Sequence, residues 1–186
     1  MIKVAIIGSA GRNKYEYNIL SVKHLEYMVT KVEDFIKNTL NTTNNNIILV
    51  SGGSAWSDHV AVQLYLSSDF GGLELYLPAR FDLNLNKFEN TNEGNRLNSL
   101  HEQFEKKTKC SIFNELYLSI TDPNIKVVIE KGFLQRNTMI AKNNDYLIAF
   151  TFSTNDLPTN GSGTFDTWHK TKHNNKIHFD LNEVTT

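Results

Sequence analysis

The sequence predicts an α/β fold, a Rossmann-like, doubly wound and mainly parallel sheet with helices on both faces, one domain carrying an insertion after its third strand. Three observations lead there. Apolar runs such as Ile47-Ile48-Leu49-Val50 have strand length and end at glycine or proline. Between them, apolar residues recur at three- and four-residue steps, the stripe of a helix that packs one face on something flat. The two kinds of segment alternate as strand, helix, strand, helix, strand through residue 77.

Residues 2–7 form the first strand, stopped by Gly8-Ser9-Ala10-Gly11. Leu25, Met28, Val29, Val32, Phe35 and Ile36 mark the first amphipathic helix. The turn Asn44-Asn45-Asn46 precedes the second strand, 47–50, which ends at Ser51-Gly52-Gly53. A helix over 54–66 and a strand over 73–77, closed by Pro78, complete the alternation that implies right-handed crossovers. Residues 79–130 are less regular and read as an insertion or lid, with a helix over 95–107 and an unassigned segment over 112–120. Order returns with Val127-Val128-Ile129, a helix over 133–142, a strand over 145–150, a loop to Gly163, a helix to 172 and a last strand over 176–181.

Composition narrows the function classes. Nineteen Lys plus Arg against twenty Asp plus Glu give a net charge of −1, so no bulk positive field exists to hold a nucleic-acid backbone. No apolar run approaches the roughly 20 residues that span a bilayer, so no membrane partner is expected. A single cysteine, Cys110, and no leader-like N-terminus make a reducing, cytoplasmic setting the expectation. The 23 asparagines cluster between periodic segments, where asparagine tolerates turns and left-handed backbone.

Three loops carry unusual chemistry, and in a doubly wound sheet such loops gather at the carboxyl ends of the strands. Gly8-Ser9-Ala10-Gly11-Arg12 offers open backbone amides and a guanidinium. Ser51-Gly52-Gly53-Ser54 allows close backbone approach ahead of a helix N-terminus. Gly161-Ser162-Gly163-Thr164 repeats that arrangement with two hydroxyls. Singly, each reads as a turn or cap; together they form a candidate anion site.

Ser51-Gly52-Gly53-Ser54 with Asp58 and Ala61, Arg136-Asn137-Thr138-Met139-Ile140-Ala141, and Ser162-Gly163-Thr164 with Thr167 resemble, in order and spacing, the SLOG superfamily. That superfamily of Rossmann-like domains includes the DNA-processing protein A and the Lonely Guy phosphoribohydrolases. The resemblance spans the chain outside 79–130. It implies that Ser51, Gly52 and Gly53 line a phosphate or ribose site, that Arg136 supplies charge, that Asn137 shapes the site and that Gly161, Ser162, Gly163 and Thr164 cradle phosphate. With Gly8, Ser9, Arg12 and Asp58, these are the candidate ligand-binding residues. The resemblance also implies a homodimer.

Two positions depart from the family pattern. Where the phosphoribohydrolases carry a catalytic carboxylate, this chain has Thr167; Asp166 is its neighbour, rotated by about 100° on a helix. Asp166 and Asp58 are thus the candidate carboxylates for N-glycosidic hydrolysis. Where the DNA-processing branch commonly has glycine, this chain has Trp56, which either narrows the pocket, stacks on a base or packs in the core. Asp166, His169 and His173 share a helical face, but their polar surroundings argue against a metal, and neither metal nor cofactor is expected. Arg96 and His101 lie in the 79–130 stretch, where they would cover the pocket as part of a lid. The expected partner is a small nucleotide or nucleotide-derived ligand. The protein would hydrolyse it, sense it without turnover, or instead hold single-stranded nucleic acid, the last disfavoured by the charge.

Overall fold

The computed structural model describes residues 1–185. Six parallel strands form the sheet: β1 (Ile2–Gly8), β2 (Ile47–Ser51), β3 (Gly72–Leu77), β6 (Lys126–Ile129), β7 (Tyr146–Thr151) and β8 (Lys176–Asp180). Their spatial order is β6-β3-β2-β1-β7-β8. From β1 the chain builds outward through β2 and β3 to β6, then returns to lay β7 and β8 on the other side. Strand order therefore reverses between β1 and β7, where Val4 to Gly8 pair with Tyr146 to Phe150.

Side-chain alternation divides the strands between two cores. Val4, Ile6, Leu49, Leu75 and Ile148 face one side, packed by helices α2 (Val22–Phe35), α3 (Ser57–Ser67), α4 (Asn92–Thr108) and α5 (Ile112–Thr121). Ala5, Ile7, Val50, Leu147 and Ala149 face the other, covered by α6 (Phe133–Lys142) and α7 (Gly163–Lys170). This is the doubly wound α/β arrangement. The predicted stripe on α2 does the expected work, with Leu25, Met28, Val32 and Phe35 buried. Asn41 and Asn86 adopt the left-handed backbone, at φ 47° and 51°, that asparagine accepts more readily than most residues.

Residues 79–130 follow β3 and carry elements of their own. After a small hairpin, β4 (Phe81–Asp82) with β5 (Lys87–Phe88), helices α4 and α5 form the crossover from β3 to β6. Their Leu97, Phe104, Ile112 and Leu116 are fully buried in the larger core. His101 is buried with them and covers no pocket. The stretch looked irregular because α4 is mostly polar outside that stripe. The segment over 112–120 is helix α5, seven of whose ten residues, Ile-Phe-Asn-Glu-Leu-Tyr-Leu-Ser-Ile-Thr, are apolar or aromatic or face the core.

Other boundaries move for local reasons. The second predicted helix begins at Ser57 instead of 54, because Asp58 accepts the Ser54 amide and holds 54–56 as a loop. The last helix stops at Lys170, so His173 lies outside it. A short helix α1 (Lys14–Ile19) was not expected. It buries no residue and so has no apolar stripe, but Asn13 accepts the Glu16 amide at 2.9 Å, and the Asn-x-x-Glu spacing at 13–16 is a readable start signal. Among the described residues, no helix is long and apolar enough to cross a membrane.

Candidate functional site

A cavity of about 450 Å³ opens at the carboxyl ends of β1 and β7, where the strand order reverses. This is the place where a doubly wound sheet leaves a crevice, because its connections depart to opposite faces. At its floor Gly8 has φ 156°, and a side chain there would overlap the Phe150 carbonyl and Ser57. Ser9 closes the crevice, its amide donating to Phe150 O at 2.8 Å.

Of the predicted residues, Gly8, Ser9, Arg12, Asp58, Arg136, Asn137, Gly161, Ser162, Gly163 and Thr164 all line this cavity. Helix α7 points its N-terminus at it. Ser162 caps that helix by accepting the Phe165 amide at 3.0 Å. The Gly163 and Thr164 amides in its first turn have no partner inside the helix, the usual condition that favours an anion. Asn137 donates to Gly163 O at 3.3 Å and to Asp166 Oδ2 at 3.1 Å, tying α6 to the α7 loop.

Ser51, Gly52 and Gly53 do not line the cavity, contrary to the expectation of a phosphate-contacting loop. They are buried and build the seat of Arg136. Ser51 Oγ donates to Asp58 O at 2.6 Å and accepts the Gly53 amide at 3.1 Å, folding the turn on itself. The Gly52 carbonyl accepts Arg136 Nη1 at 2.9 Å, and the same Nη1 meets Asp58 Oδ2 at 3.0 Å. A side chain on Gly52 would occupy the guanidinium's position. Gly52→Ala is therefore expected to cost about 2–3 kcal/mol. Gly161→Ala meets open space at φ 82° and is expected to cost only about 1 kcal/mol of left-handed strain. Urea denaturation of both variants checks the contrast.

Arg136 is 5% exposed, and its Nε is buried without a partner. Burial pushes the guanidinium down and the Asp58 carboxyl up from their ordinary values, while the contact between them opposes both shifts. Arg12 rises from the other side of the mouth. Its guanidinium lies 4.8 Å from the Phe133 ring centre and that of Arg136 lies 5.4 Å from it, so one phenyl ring supports two cations. Arg12 is exposed by area but crowded by protein atoms, which lower its pKa, as do Arg136 and Arg96. Toward β8 the wall is aromatic: Tyr15 and Phe152 meet edge to face at 5.6 Å.

The carboxylates stand differently from expectation. Asp166 does not line the cavity; its Oδ2 is held by Asn137 and, at 2.8 Å, by Lys170. Thr167 takes the inward position, its hydroxyl donating to Gly163 O at 3.1 Å, because adjacent helical residues differ by about 100°. Besides Asp58, the cavity contains Glu16, which accepts the Gly11 amide at 3.1 Å. Trp56 is core, 2% exposed and edge-on to Phe104 at 4.9 Å. Its φ of 61° is a conformation a glycine would adopt without strain. His169, His173 and His178 go to separate partners: the Phe165 ring, Asn144 and Thr151.

Sequence reasoning missed Tyr15, Glu16, Phe152 and Thr159, which follow the strands or sit on unpredicted α1. It also missed the support beneath the site. Ser54 Oγ is buried without a partner, and both ring nitrogens of buried His101 likewise lack one. His101 stacks on Phe88 and meets Phe113 edge to face, each at 5.5 Å. Beside it His59 contacts Glu115 at 2.5 Å. Burial, then the nearby His59, holds the His101 imidazole down to about 3, so it stays neutral.

No protein-family model matches the chain, and no solved structure matches it. It is similar to "Uncharacterized protein R261" of Acanthamoeba polyphaga mimivirus, 47% identical over 180 residues that cover 97% of this chain and 96% of that one. At that identity and coverage the chain belongs to the same protein family as this mimivirus protein.

Proposed function

We propose that the cavity binds a nucleotide or nucleotide-derived ligand, with phosphate on Arg12, Arg136 and the N-terminus of α7 and the base toward Tyr15 and Phe152. The observation that carries this reading is Arg136: a buried guanidinium facing a cavity with an unpartnered Nε, at the reversal point of a doubly wound sheet. Asp58 balances its charge, and a buried N–H donor left without a partner favours an oxyanion acceptor. The motif resemblance to the SLOG superfamily supports the same ligand class.

Binding without turnover is the form of the reading that the chemistry favours. N-glycosidic hydrolysis needs a carboxylate free to exchange a proton or attack carbon. Asp166 is turned out of the cavity, Asp58 is engaged by Arg136 and the Ser54 amide, and Glu16 by the Gly11 amide.

The test is a melting-temperature screen against nucleoside mono-, di- and triphosphates, dinucleotides and cyclic nucleotides, with Arg12→Ala beside the parent chain. Arg12 makes no ion pair among the described residues, so its removal leaves the fold intact. A ligand at a hundred times its Kd adds about 2.7 kcal/mol. For a chain of this size that is a rise of roughly 5–10 °C, reduced in Arg12→Ala. A flat screen overturns the reading. Release of free base that Asp58→Asn abolishes would overturn the non-catalytic form alone.

A further inference from the structure

Resting on the nucleotide reading above, we infer that Ser54 is a ligand-contacting residue: its hydroxyl and Arg136 Nε donate together to a phosphoryl oxygen at the buried wall of the cavity. Three serines stand in or beside the turn after β2, at 51, 54 and 57, and they are 0%, 2% and 0% exposed. The fold consumes two of their hydroxyls. Ser51 Oγ donates to Asp58 O at 2.6 Å, and Ser57 Oγ donates to Ser9 O at 3.0 Å. Ser54 Oγ has no partner among the described residues, and Ser54 is the one of the three that lines the cavity.

A buried hydroxyl without a partner has lost water and gained nothing in return, so alanine would serve the packing at position 54 as well or better. The structural duty of this residue falls on its backbone. Its amide donates to Asp58 Oδ2 at 3.2 Å, a bond that any residue except proline can supply. The fold thus accounts for the amide and leaves the hydroxyl to the cavity.

Arg136 is the neighbour of that hydroxyl. The carboxylate oxygen that accepts the Ser54 amide also accepts Arg136 Nη1 at 3.0 Å, so the two residues meet on one atom. Both line the cavity, and Arg136 Nε is likewise buried without a partner. Asp58 and the Gly52 carbonyl hold Nη1, which fixes the guanidinium plane and with it the direction of Nε–H. The serine side chain has a single rotor and no bond to lose on turning, so Oγ can take whichever staggered position meets the ligand. A phosphoryl oxygen has lone pairs for both donors. Because Asp58 already balances Arg136, this wall selects by hydrogen bonds rather than by net charge, and loss of one donor is read directly in affinity.

The experiment compares the full parent chain with Ser54→Ala in two measurements. The first is the melting temperature without ligand. The second is equilibrium binding of adenosine, guanosine, cytidine and uridine and of their mono- and diphosphates, at fixed ionic strength. The expected result is a melting temperature unchanged or raised by up to about 3 °C, together with about a tenfold loss of affinity for the nucleotides. Opposite signs in the two measurements are what a merely structural serine does not give. A fall of several degrees would show that the hydroxyl is bonded within the fold and overturns the inference. Unchanged nucleotide affinity overturns it too, as does a nucleoside that loses as much as its nucleotide, which would put the contact on sugar or base. In each of these cases the nucleotide reading stands. Absence of binding by every probe overturns both.

Discussion

Arg136→Met is expected to destabilise the protein by about 3–5 kcal/mol, because it strands the Asp58 carboxylate in a buried site. Asp58 is 6% exposed, and its partners are the guanidinium at 3.0 Å and the Ser54 amide at 3.2 Å. With the guanidinium gone, one backbone amide is left to stabilise a desolvated charge. The Gly52 carbonyl loses its donor as well. For a chain of this length the loss is a fall in Tm of roughly 6–20 °C. The double variant Arg136→Met, Asp58→Asn removes the stranded charge and is expected to recover at least half of the lost stability. Urea unfolding of the single and double variants checks this, since partners in contact give non-additive losses whereas independent sites add. Additive losses would mean that the two residues are not coupled.

His101 makes the second large effect, one that depends on pH. Its folded-state pKa is held down to about 3 by burial and then by His59, against an ordinary 6.5. Between those values the unfolded chain binds a proton that the folded chain refuses. Stability is therefore fully present above pH 6.5 and is lost as pH falls toward 3. At pH 4.5 the loss from this one residue is roughly 2–3 kcal/mol. His101→Leu keeps an apolar side chain against Phe88 and Phe113 and has nothing to protonate. The parent chain is expected to lose that much stability relative to the variant between pH 7 and pH 4.5, measured by urea midpoints at each pH. A difference that stays constant over this range would show that His101 takes up its proton in the folded state.

The two residues illustrate different degrees of legibility. Arg136 was readable as a site residue from the spacing of its motif, and Asp58 from its place one turn into a helix. Their contact was not readable, because 78 residues separate them in the chain and only the crossovers bring α6 over the loop after β2. The Ser-Gly-Gly element was correctly marked as special but for the wrong reason. Glycine's small size serves a guanidinium of the same chain there, and sequence alone does not say which atom approaches a glycine closely. His101 carries no local signal at all. An i, i+4 partner would have shown in the sequence, but Phe88, Phe113 and His59 reach it from a hairpin and two other helices.

What the sequence determined by itself is the sheet and its helices, because these follow from short-range periodicity: apolar runs bounded by turn residues, and a stripe at three- and four-residue steps on α2. It also brought the loops after β1 and before α7 to one edge of the sheet, where they line a common cavity. Tertiary structure alone decided the strand order, the inward turn of Thr167 over Asp166 and the identity of 79–130 as a crossover. It also decided the meeting of Arg12 and Arg136 over Phe133. Each of these depends on which distant surfaces exclude water from one another, a property of the whole packed chain that no window of neighbouring residues contains.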